Sequence, residues 1–240
     1  MRWWRKPPTE VDIIAFGAHP DDIELLAGGS VAKECAAGKS VLVVDATESE
    51  MSSNGTVEQR QEETAKASEI LGLKARVNLQ FGDGFLTEEK DLKTKLVELI
   101  RTHAPKLVLG PPDICRHPDH RALNRALSDA VYFSGLKNYL PNIPSVQRPK
   151  LIKYFEVGSG TPDLLVDITE CMEIRRAAIA AYESQFELKE QRVATFINTG
   201  FLDQLERRLL QWGEVAGVPY AEPYFNGSPP CVKSLFLSGQ

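Results

Sequence analysis

Cysteine is scarce in this sequence. Only four of the 240 residues are cysteines, and no two of them form a CxxC pair. This scarcity excludes a disulfide-stapled framework and provides no thiolate zinc site. Scattered cysteines of this kind are typical of a reducing compartment, so we expect a cytoplasmic protein.

Long apolar runs are absent as well. No segment approaches the ~20 apolar residues that a membrane-spanning helix needs. The basic opening MRWWRKPPTE is not followed by the apolar core of a secretory signal. Trp3 and Trp4 in this opening are expected to pack on a neighbouring protein surface rather than in lipid. The sequence therefore predicts a soluble protein with no membrane partner.

Basic residues are not in excess. Lys and Arg total 28 against 33 Asp and Glu, which gives a net charge of -5, and the cations are scattered along the chain. A nucleic-acid-binding face needs a basic stripe that neutralises phosphates. We therefore expect no nucleic-acid partner.

The sequence does contain a regular alternation of apolar and amphipathic segments. Apolar runs of strand length, beginning with VDIIAFGA at 11–18 and KSVLVVDAT at 39–47, are each followed by a stretch with helical spacing. The alternation continues to residue 110, and Thr56 and Thr87 are expected to cap the second and third helices. This pattern predicts a Rossmann-like, doubly wound α/β sheet that is mostly parallel, with helices on both faces.

The length and the 42% hydrophobic content suit one domain with a sizeable core. The proline-containing stretch KNYLPNIPSVQRPK at 137–150 marks a change of subdomain rather than a second domain. We expect a single domain over residues 1–240, in which residues from about 138 to 240 form a C-terminal extension. In such a fold, ligands bind at the carboxyl ends of the strands.

Two short histidine motifs follow two of these predicted strands. HPDD starts at His19, after the first strand, and HPDH starts at His117, after the fourth. Both look like helix starts, because proline fits the first helical turn and aspartate interacts favourably with the helix dipole. A capped helix with a satisfied histidine is therefore one interpretation of each motif. It does not explain why three of the four histidines in the chain fall within these two motifs.

A metal site accounts for this clustering. The two strand ends can meet at one crevice of a parallel sheet although they are far apart in sequence. Imidazoles with a carboxylate form the usual ligand set of catalytic Zn²⁺, and they also suit Fe²⁺ or Co²⁺. A spacing of three positions puts the members of each motif on one side of a helical turn. We predict a divalent metal, with Zn²⁺ as the first candidate, bound by His19, Asp22 and His120.

Two further motif residues are left for catalysis. A hydrolytic metal site needs a base for the attacking water and a donor for the developing oxyanion. Asp21, next to the predicted ligand Asp22, is expected to face the pocket as this base. His117 is expected to stabilise the oxyanion, and either Asp21 or His117 is expected to protonate the leaving amine.

In these motifs the chain resembles the LmbE/PIG-L family of zinc-dependent N-acetylglucosamine deacetylases, whose motifs read AHPDD and HPDH. The family's metal ligands are the first His, the second Asp and the final His, which correspond here to His19, Asp22 and His120. The resemblance implies that Asp21 is the general base and that His117 polarises the oxyanion. These roles agree with those assigned from spacing.

The resemblance extends to the branch that acts in bacillithiol biosynthesis, through SSNGTVEQRQEETAKASEILGL, RHPDHRALNRALSDAVYFSGL, AAYESQF and GEVAGVPYAEPY. This branch removes acetate from N-acetylglucosaminyl malate, and its members form hexamers, so a homo-oligomer is implied. It also implies that Arg60 and Arg116 face the anionic end of the substrate, where an arginine can hold a carboxylate with two hydrogen bonds. For Arg60 the alternative is an exposed helix residue paired with Glu58 or Glu63.

One loop departs from the family pattern. The family loop resembles TRGELGSxGT, whereas this chain has TESEMSSNGT, with Glu48 in place of an arginine and Ser49 and Ser52 in place of glycines. An anion at this position works against a dicarboxylate substrate if its side chain faces the crevice. The loop therefore bears on the identity of the conjugate and not on the reaction.

From these observations we expect a hydrolase that removes the N-acetyl group of an N-acetylglucosamine conjugate, with N-acetylglucosaminyl malate as the leading substrate. Two alternatives stay open. One is the same reaction on another N-acetylglucosamine derivative, and the other is a non-catalytic sugar- or metal-binding protein. The intact Asp21 argues against the second alternative, because a binding protein needs ligands but no base.

Overall fold

The structure is a computed structural model that describes residues 2–5, 8–88, 90–156, 160–187, 189 and 192–228. The last part of the expected C-terminal extension, residues 229–240, lies outside the described residues. In the ranges that are described, no helix combines the length and the apolar character needed to cross a bilayer.

Strands and helices alternate along most of the chain. The strands are β1 (Arg2–Arg5), β2 (Ile13–Gly17), β3 (Val41–Thr47), β4 (Ala75–Phe81), β5 (Leu107–Gly110), β6 (Lys150–Tyr154), β7 (Leu164–Asp167) and β8 (Ala221–Phe225). The helices are α1 (Asp22–Ala36), α2 (Val57–Ile70), α3 (Leu92–His103), α4 (Pro118–Ser134), α5 (Met172–Ala180), α6 (Glu183–Phe186) and α7 (Leu202–Ala216).

These strands form a single sheet in the order β1-β4-β3-β2-β5-β6-β8-β7. The five strands from β4 to β6 pair in parallel, and β1, β8 and β7 join by antiparallel pairing. On one side of β2 the sheet continues with β3 and then β4. The next strand in the chain, β5, pairs with the other side of β2. This reversal of strand order leaves a crevice at the carboxyl ends of β2 and β5, where α/β proteins bind ligands. The expected mostly parallel α/β fold is confirmed.

Helices cover both faces of the parallel strands. Every residue of β2 and β3 is buried. Along β2, Ile14 and Phe16 pack with side chains of α3 and α4, whereas Ile13 and Ala15 pack with side chains of α1, α2 and α5. Burial on both faces is the reason these strands are continuous apolar runs rather than alternating ones.

Two of the antiparallel strands, β1 and β8, were not predicted from sequence. The basic opening forms β1 against β4, and Trp4 packs against the apolar core on one face of the sheet. The segment AEPYF, whose proline and glutamate obscure a strand pattern, forms β8 between β6 and β7. Both segments depend on a neighbouring strand that is distant in sequence.

One of the two expected helix caps is wrong. The Thr56 side chain does cap α2 by accepting a hydrogen bond of 3.2 Å from the backbone N–H of Gln59. Thr87 instead lies in the short 3-10 turn Leu86–Glu88, and α3 starts later, with Asp91 at its cap position. Because this 3-10 turn and α3 are separate elements, Thr87 does not occupy the cap position of α3.

Candidate active site

Three histidines meet at the carboxyl ends of β2 and β5. His19 follows β2, and His117 and His120 lie at the start of α4, after the loop that leaves β5. The ring centroids are 4.6 Å apart for His19 and His117, 5.0 Å for His117 and His120, and 5.4 Å for His19 and His120. One nitrogen of each ring lies within 4.8 Å of the others. The pairing of β2 with β5 thus brings the two motifs together.

Asp22, the first residue of α1, joins this cluster. Its Oδ2 lies 3.3 Å from His120 Nε2 and 3.7 Å from His19 Nδ1. The same oxygen accepts hydrogen bonds from the backbone N–H groups of Ala18 at 2.8 Å and of His19 at 3.0 Å. These bonds fix the carboxylate, so Asp22 Oδ2 lies within 4 Å of one nitrogen of each of the two imidazoles.

The outer nitrogens of His19 and His120 face carboxylates. His19 Nε2 is 3.1 Å from Asp83 Oδ1 and 3.5 Å from Asp119 Oδ2, and His120 Nδ1 is 3.0 Å from Glu156 Oε2. A histidine that binds a metal with one nitrogen commonly donates the N–H of the other to a carboxylate, which orients the ring and fixes its tautomer. Both histidines have this arrangement, with the inner nitrogen turned toward Asp22.

Sequence reasoning missed Asp83, Asp119 and Glu156. Asp119 is the acid inside HPDH, and its side chain also accepts hydrogen bonds from the backbone N–H groups of Gly84 and Leu86. Asp83 and Glu156 follow β4 and β6 closely. The sequence signal at these two positions is their place after the carboxyl end of a parallel strand, a pattern that does not by itself identify one residue.

The donor set fits a divalent cation. Burial opposes protonation of His19, yet hydrogen bonds to Asp119, Asp22 and Asp83 raise its pKa well above the usual range. Burial likewise opposes protonation of His120, and the charge of Asp22 raises its pKa. Buried carboxylate charge therefore dominates the cluster. A cation would offset that charge, and imidazole with carboxylate donors suits Zn²⁺ or Fe²⁺.

Asp21 lies beside this cluster and lines the same crevice. Its backbone adopts a φ of 113°, a left-handed conformation that is unusual for a residue other than glycine. Its Oδ2 is 3.0 Å from Arg60 Nη1. Burial raises the pKa of Asp21 to about 7, against the opposing charge of Arg60. A carboxylate in this range can take up and release a proton near neutral pH.

Glu24, two residues after the HPDD motif, has a structural role. Its side chain is fully buried and accepts hydrogen bonds from Arg76 Nη1 at 2.5 Å and from the Tyr182 hydroxyl at 3.1 Å. Arg76 also donates to both carboxylate oxygens of Asp45, at 2.7 and 2.8 Å. This buried network ties α1 to β3 and β4 beneath the crevice.

His117 is half-buried in the crevice and begins α4. Its Nδ1 accepts a hydrogen bond of 3.3 Å from the backbone N–H of Asp119. A neutral imidazole that accepts at Nδ1 carries its proton on Nε2. Burial, followed by the charges of His19 and His120, lowers the pKa of His117, which favours this neutral form. His117 therefore presents a donor to its surroundings.

The two predicted substrate-binding arginines differ in their surroundings. Arg60 is only 4% exposed, and besides Asp21 it donates to the backbone oxygen of Pro20 at 2.7 Å and to Ser52 Oγ at 3.1 Å. It is therefore not the exposed helix residue considered as the alternative. Arg116 is exposed at the crevice, with its guanidinium carbon 4.5 Å from the centroid of the Phe196 ring.

The crevice has a volume of about 510 Å³ and is lined by all the predicted site residues together with Asp83 and Glu156. Glu48, the acid that departs from the family pattern, does not line it. Glu48 lines a separate cavity of about 280 Å³ beside α2, where its Oε1 accepts a hydrogen bond from Gln61. Ser49 and Ser52, from the same loop, do line the crevice. Glu48, which stands where the family has an arginine, thus adds no carboxylate to the crevice wall.

Comparison with known proteins shows that the chain is similar to deacetylases. Residues 14–131 match the family model described as PIG-L, GlcNAc-PI de-N-acetylase. The chain is 30% identical to the diacetylchitobiose deacetylase of Thermococcus kodakarensis over 234 residues. The matched region covers 88% of this chain and 80% of that relative.

Two further comparisons extend this likeness. The chain is 27% identical to a probable N-acetyl-α-D-glucosaminyl L-malate deacetylase 2 of Bacillus cereus over 196 residues. The matched region covers 74% of this chain and 85% of that relative. Among solved structures it is similar to the conserved protein TT1542 of Thermus thermophilus, with a TM-score of 0.86 and 33% identity over 95% of this chain and 100% of that one. The diacetylchitobiose deacetylase matches at higher identity than the malate-conjugate deacetylase.

Proposed function

Because this chain belongs to the PIG-L family of GlcNAc-PI de-N-acetylases, we propose that it is a metal-dependent hydrolase that removes the N-acetyl group of an N-acetylglucosamine conjugate. One observation carries the proposal: a buried acid, Asp21, stands beside the cluster of His19, Asp22 and His120 on the wall of one crevice. Ligands without a base would suit a binding protein, whereas this arrangement suits hydrolysis.

His19, Asp22 and His120 would hold the cation, and Asp83, Asp119 and Glu156 would orient the two imidazoles. When bound, a divalent cation polarises the substrate carbonyl and makes the attacking water more acidic. Zn²⁺ is the first candidate, and Fe²⁺ suits the same donors.

Asp21 acts as the general base. It takes a proton from the water that attacks the acetamide carbon, and the C–N bond then breaks as the amine nitrogen receives a proton from Asp21 or His117. Acetate and the free amine are the products. The contact with Arg60 at 3.0 Å holds the Asp21 carboxylate in place, and a pKa of about 7 lets this acid serve in both directions of proton transfer.

His117 stabilises the oxyanion that develops on the acetamide oxygen. Its Nδ1 is engaged by the backbone of Asp119, so its Nε2–H is the available donor. Donors already fixed in position stabilise such charge without reorganisation, and the loss of one typically costs about 10²–10³ in rate.

Two conjugates are the leading substrates. N-acetylglucosaminyl malate is supported by the likeness to the Bacillus cereus relative and by the exposed cation of Arg116 at the crevice. The absence of Glu48 from the crevice lining supports it too, because that acid does not oppose a dicarboxylate there. Diacetylchitobiose is supported by the higher identity to the Thermococcus kodakarensis relative.

The test is a product assay with purified protein reconstituted with Zn²⁺ or, without oxygen, with Fe²⁺. Acetate and the free amine are measured after incubation with N-acetylglucosaminyl malate, diacetylchitobiose and simple N-acetylglucosaminides. We expect metal-dependent release from at least one of them, and the ratio of kcat/KM values ranks the conjugates. Metal binding without acetate release from any of them would support the binding-protein alternative instead.

A further inference from the structure

A second cavity opens beside the crevice, between α1 and α7. It has a volume of about 350 Å³, and part of its lining, including Arg116 and Phe196, also lines the crevice. We call this cavity the annex and define it by Arg116, Phe155, Phe196, Phe201 and Arg208. A group attached to a sugar in the crevice can therefore extend into the annex.

Most of the annex wall is apolar. Three aromatic rings line it, together with leucines from α1 and α7. The Phe155 ring is further supported by Trp212 and Phe225, with centroids 5.9 and 5.8 Å away, and Phe196 and Phe201 contact each other at 5.1 Å. This wall suits a flat or aliphatic body, because aromatic side chains gain free energy when they bury apolar surface.

Arg208 places a cation in this apolar wall. It belongs to α7 and is half-buried, and burial lowers its pKa. Within the ranges that the structure describes, its guanidinium forms no hydrogen bond or ion pair with another residue. A partly desolvated cation without a partner is unfavourable. Its placement is explained if a bound anion supplies the partner.

Arg116 adds a second cation at the boundary between the annex and the crevice. Its guanidinium contacts the ring of Phe196. The acid in the annex wall is Glu156, and its Oε2 is already 3.0 Å from His120 Nδ1. The annex therefore holds two arginines and one acid that is bound to the histidine cluster, a charge balance that favours an anionic ligand.

We propose that the annex binds the group attached to the sugar, and that this group joins an apolar body to an anionic substituent held by Arg208 and Arg116. The inference rests on the proposed function and deepens it by naming the class of the aglycone. A carboxylate and a phosphate share this chemistry. Of the two leading conjugates, the malate conjugate supplies such an anion and diacetylchitobiose does not, and an aglycone with a larger apolar body would in addition cover the aromatic wall.

The test uses three aryl N-acetylglucosaminides that differ in the para substituent: a carboxylate, a phosphonate and the uncharged carboxamide. Acetate release gives kcat/KM for each compound, and isothermal titration calorimetry gives Kd for the corresponding deacetylated glucosaminides. We expect at least one anionic compound to exceed the carboxamide about tenfold in kcat/KM and in affinity, as one charge-assisted bidentate contact allows. The carboxylate and phosphonate results identify which anion is preferred.

Arg208→Gln is expected to reduce this preference for the anion to about twofold or less. The matched control is Arg207→Gln, which removes an exposed cation one position away on the same helix and should keep the preference. Circular dichroism and thermal melting check that both variants fold. Arg208→Lys, which keeps the charge but not the planar fork, should recover part of the preference.

The two measurements separate this inference from the proposed function. Acetate release that is equal for all three compounds, with equal Kd values, would overturn the annex as an anion site and leave the deacetylase proposal standing. A binding preference that Arg208→Gln removes, without acetate release from these compounds or from the conjugates tested above, would support the annex and contradict the deacetylase proposal. A preference that survives in Arg208→Gln would also overturn the assignment.

Discussion

The Asp21 carboxylate and the Arg60 guanidinium form a buried ion pair, with Oδ2 3.0 Å from Nη1 and 7% and 4% of the two residues exposed. The pair joins the start of α1 to α2 at the edge of the crevice. The arginine has further bonds to the protein, to Pro20 and Ser52. Arg60 is thus better placed to position the base than to hold a distant carboxylate of a substrate.

Arg60→Gln should therefore lower kcat more than it raises KM. Loss of the guanidinium removes both the charge and the contact that fix Asp21, and we expect a fall in kcat of roughly tenfold or more. Arg60→Lys should recover part of kcat because it keeps the charge. Steady-state kinetics with an anionic and a neutral conjugate give the measurement. A rise in KM confined to the anionic conjugate, with kcat intact, would instead make Arg60 a substrate ligand.

Asp21→Asn should abolish most of the activity while the metal stays bound. The amide cannot accept the proton of water, and removal of a general base typically costs about 10²–10⁴ in kcat. Elemental analysis of the same preparation should give the wild-type metal content, since Asp21 is not in the ligand set. Undiminished turnover would remove Asp21 from the mechanism.

Alanine at His19, Asp22 or His120 should lower the metal content of the purified protein. Each change removes one donor from a site built on three, so each variant should retain only a minor fraction of the wild-type metal. Inductively coupled plasma mass spectrometry measures this directly. His103→Gln is the control, because His103 ends α3 and contacts the backbone of Pro8 away from the crevice. Wild-type occupancy in a ligand variant would contradict that assignment.

Asp83→Asn should weaken metal binding without removing a ligand. Asp83 Oδ1 is 3.1 Å from the outer nitrogen of His19, and loss of such a supporting carboxylate typically costs about 10–100-fold in metal affinity. Competition with a chelator measures the affinity. The control is Asp113→Asn, an exposed acid paired with Lys153, which should bind metal as the wild type does. An unchanged metal affinity in Asp83→Asn would show that the contact between Asp83 and His19 does not contribute to metal binding.

Arg101→Met should destabilise the fold. The buried guanidinium donates to six backbone carbonyls between residues 133 and 143, and methionine would leave these acceptors without their donor. We expect a loss of about 3 kcal/mol or more in the free energy of unfolding, measured by urea titration. Arg125→Met, on the exposed side of α4, should change stability by no more than about 0.5 kcal/mol. Equal midpoints for the two variants would contradict this role.

Much of the fold could be predicted because its determinants are local. The runs that became β2 and β3 are apolar at every position because both faces of the strands are buried, and the helical spacing after each run predicted α1 and α2. Two of the antiparallel strands could not be predicted in this way. β1 and β8 are short and contain charged residues or proline, so only pairing with a distant neighbour makes them strands.

The same division holds for the candidate site. The motifs HPDD and HPDH named His19, Asp22 and His120 because metal-binding residue types recur there at helical spacing. Asp83 and Glu156 belong to no motif, and they face the histidines only because the loops after β4 and β6 open at the same edge of the sheet. A single carboxylate after a strand is too common a pattern to be distinguished in one sequence.

The sequence by itself determined the chemical types at the site and the order of the elements that present them, since these follow from residue identity and periodicity. Only the tertiary structure decided which side chains face one another. It buried Arg60 against Asp21, directed the Glu48 side chain toward a separate cavity, and placed Arg208 in an apolar wall beside the crevice. The physical reason is that helical and strand periodicity set the local direction of a side chain, whereas its partners depend on packing between segments far apart in the chain.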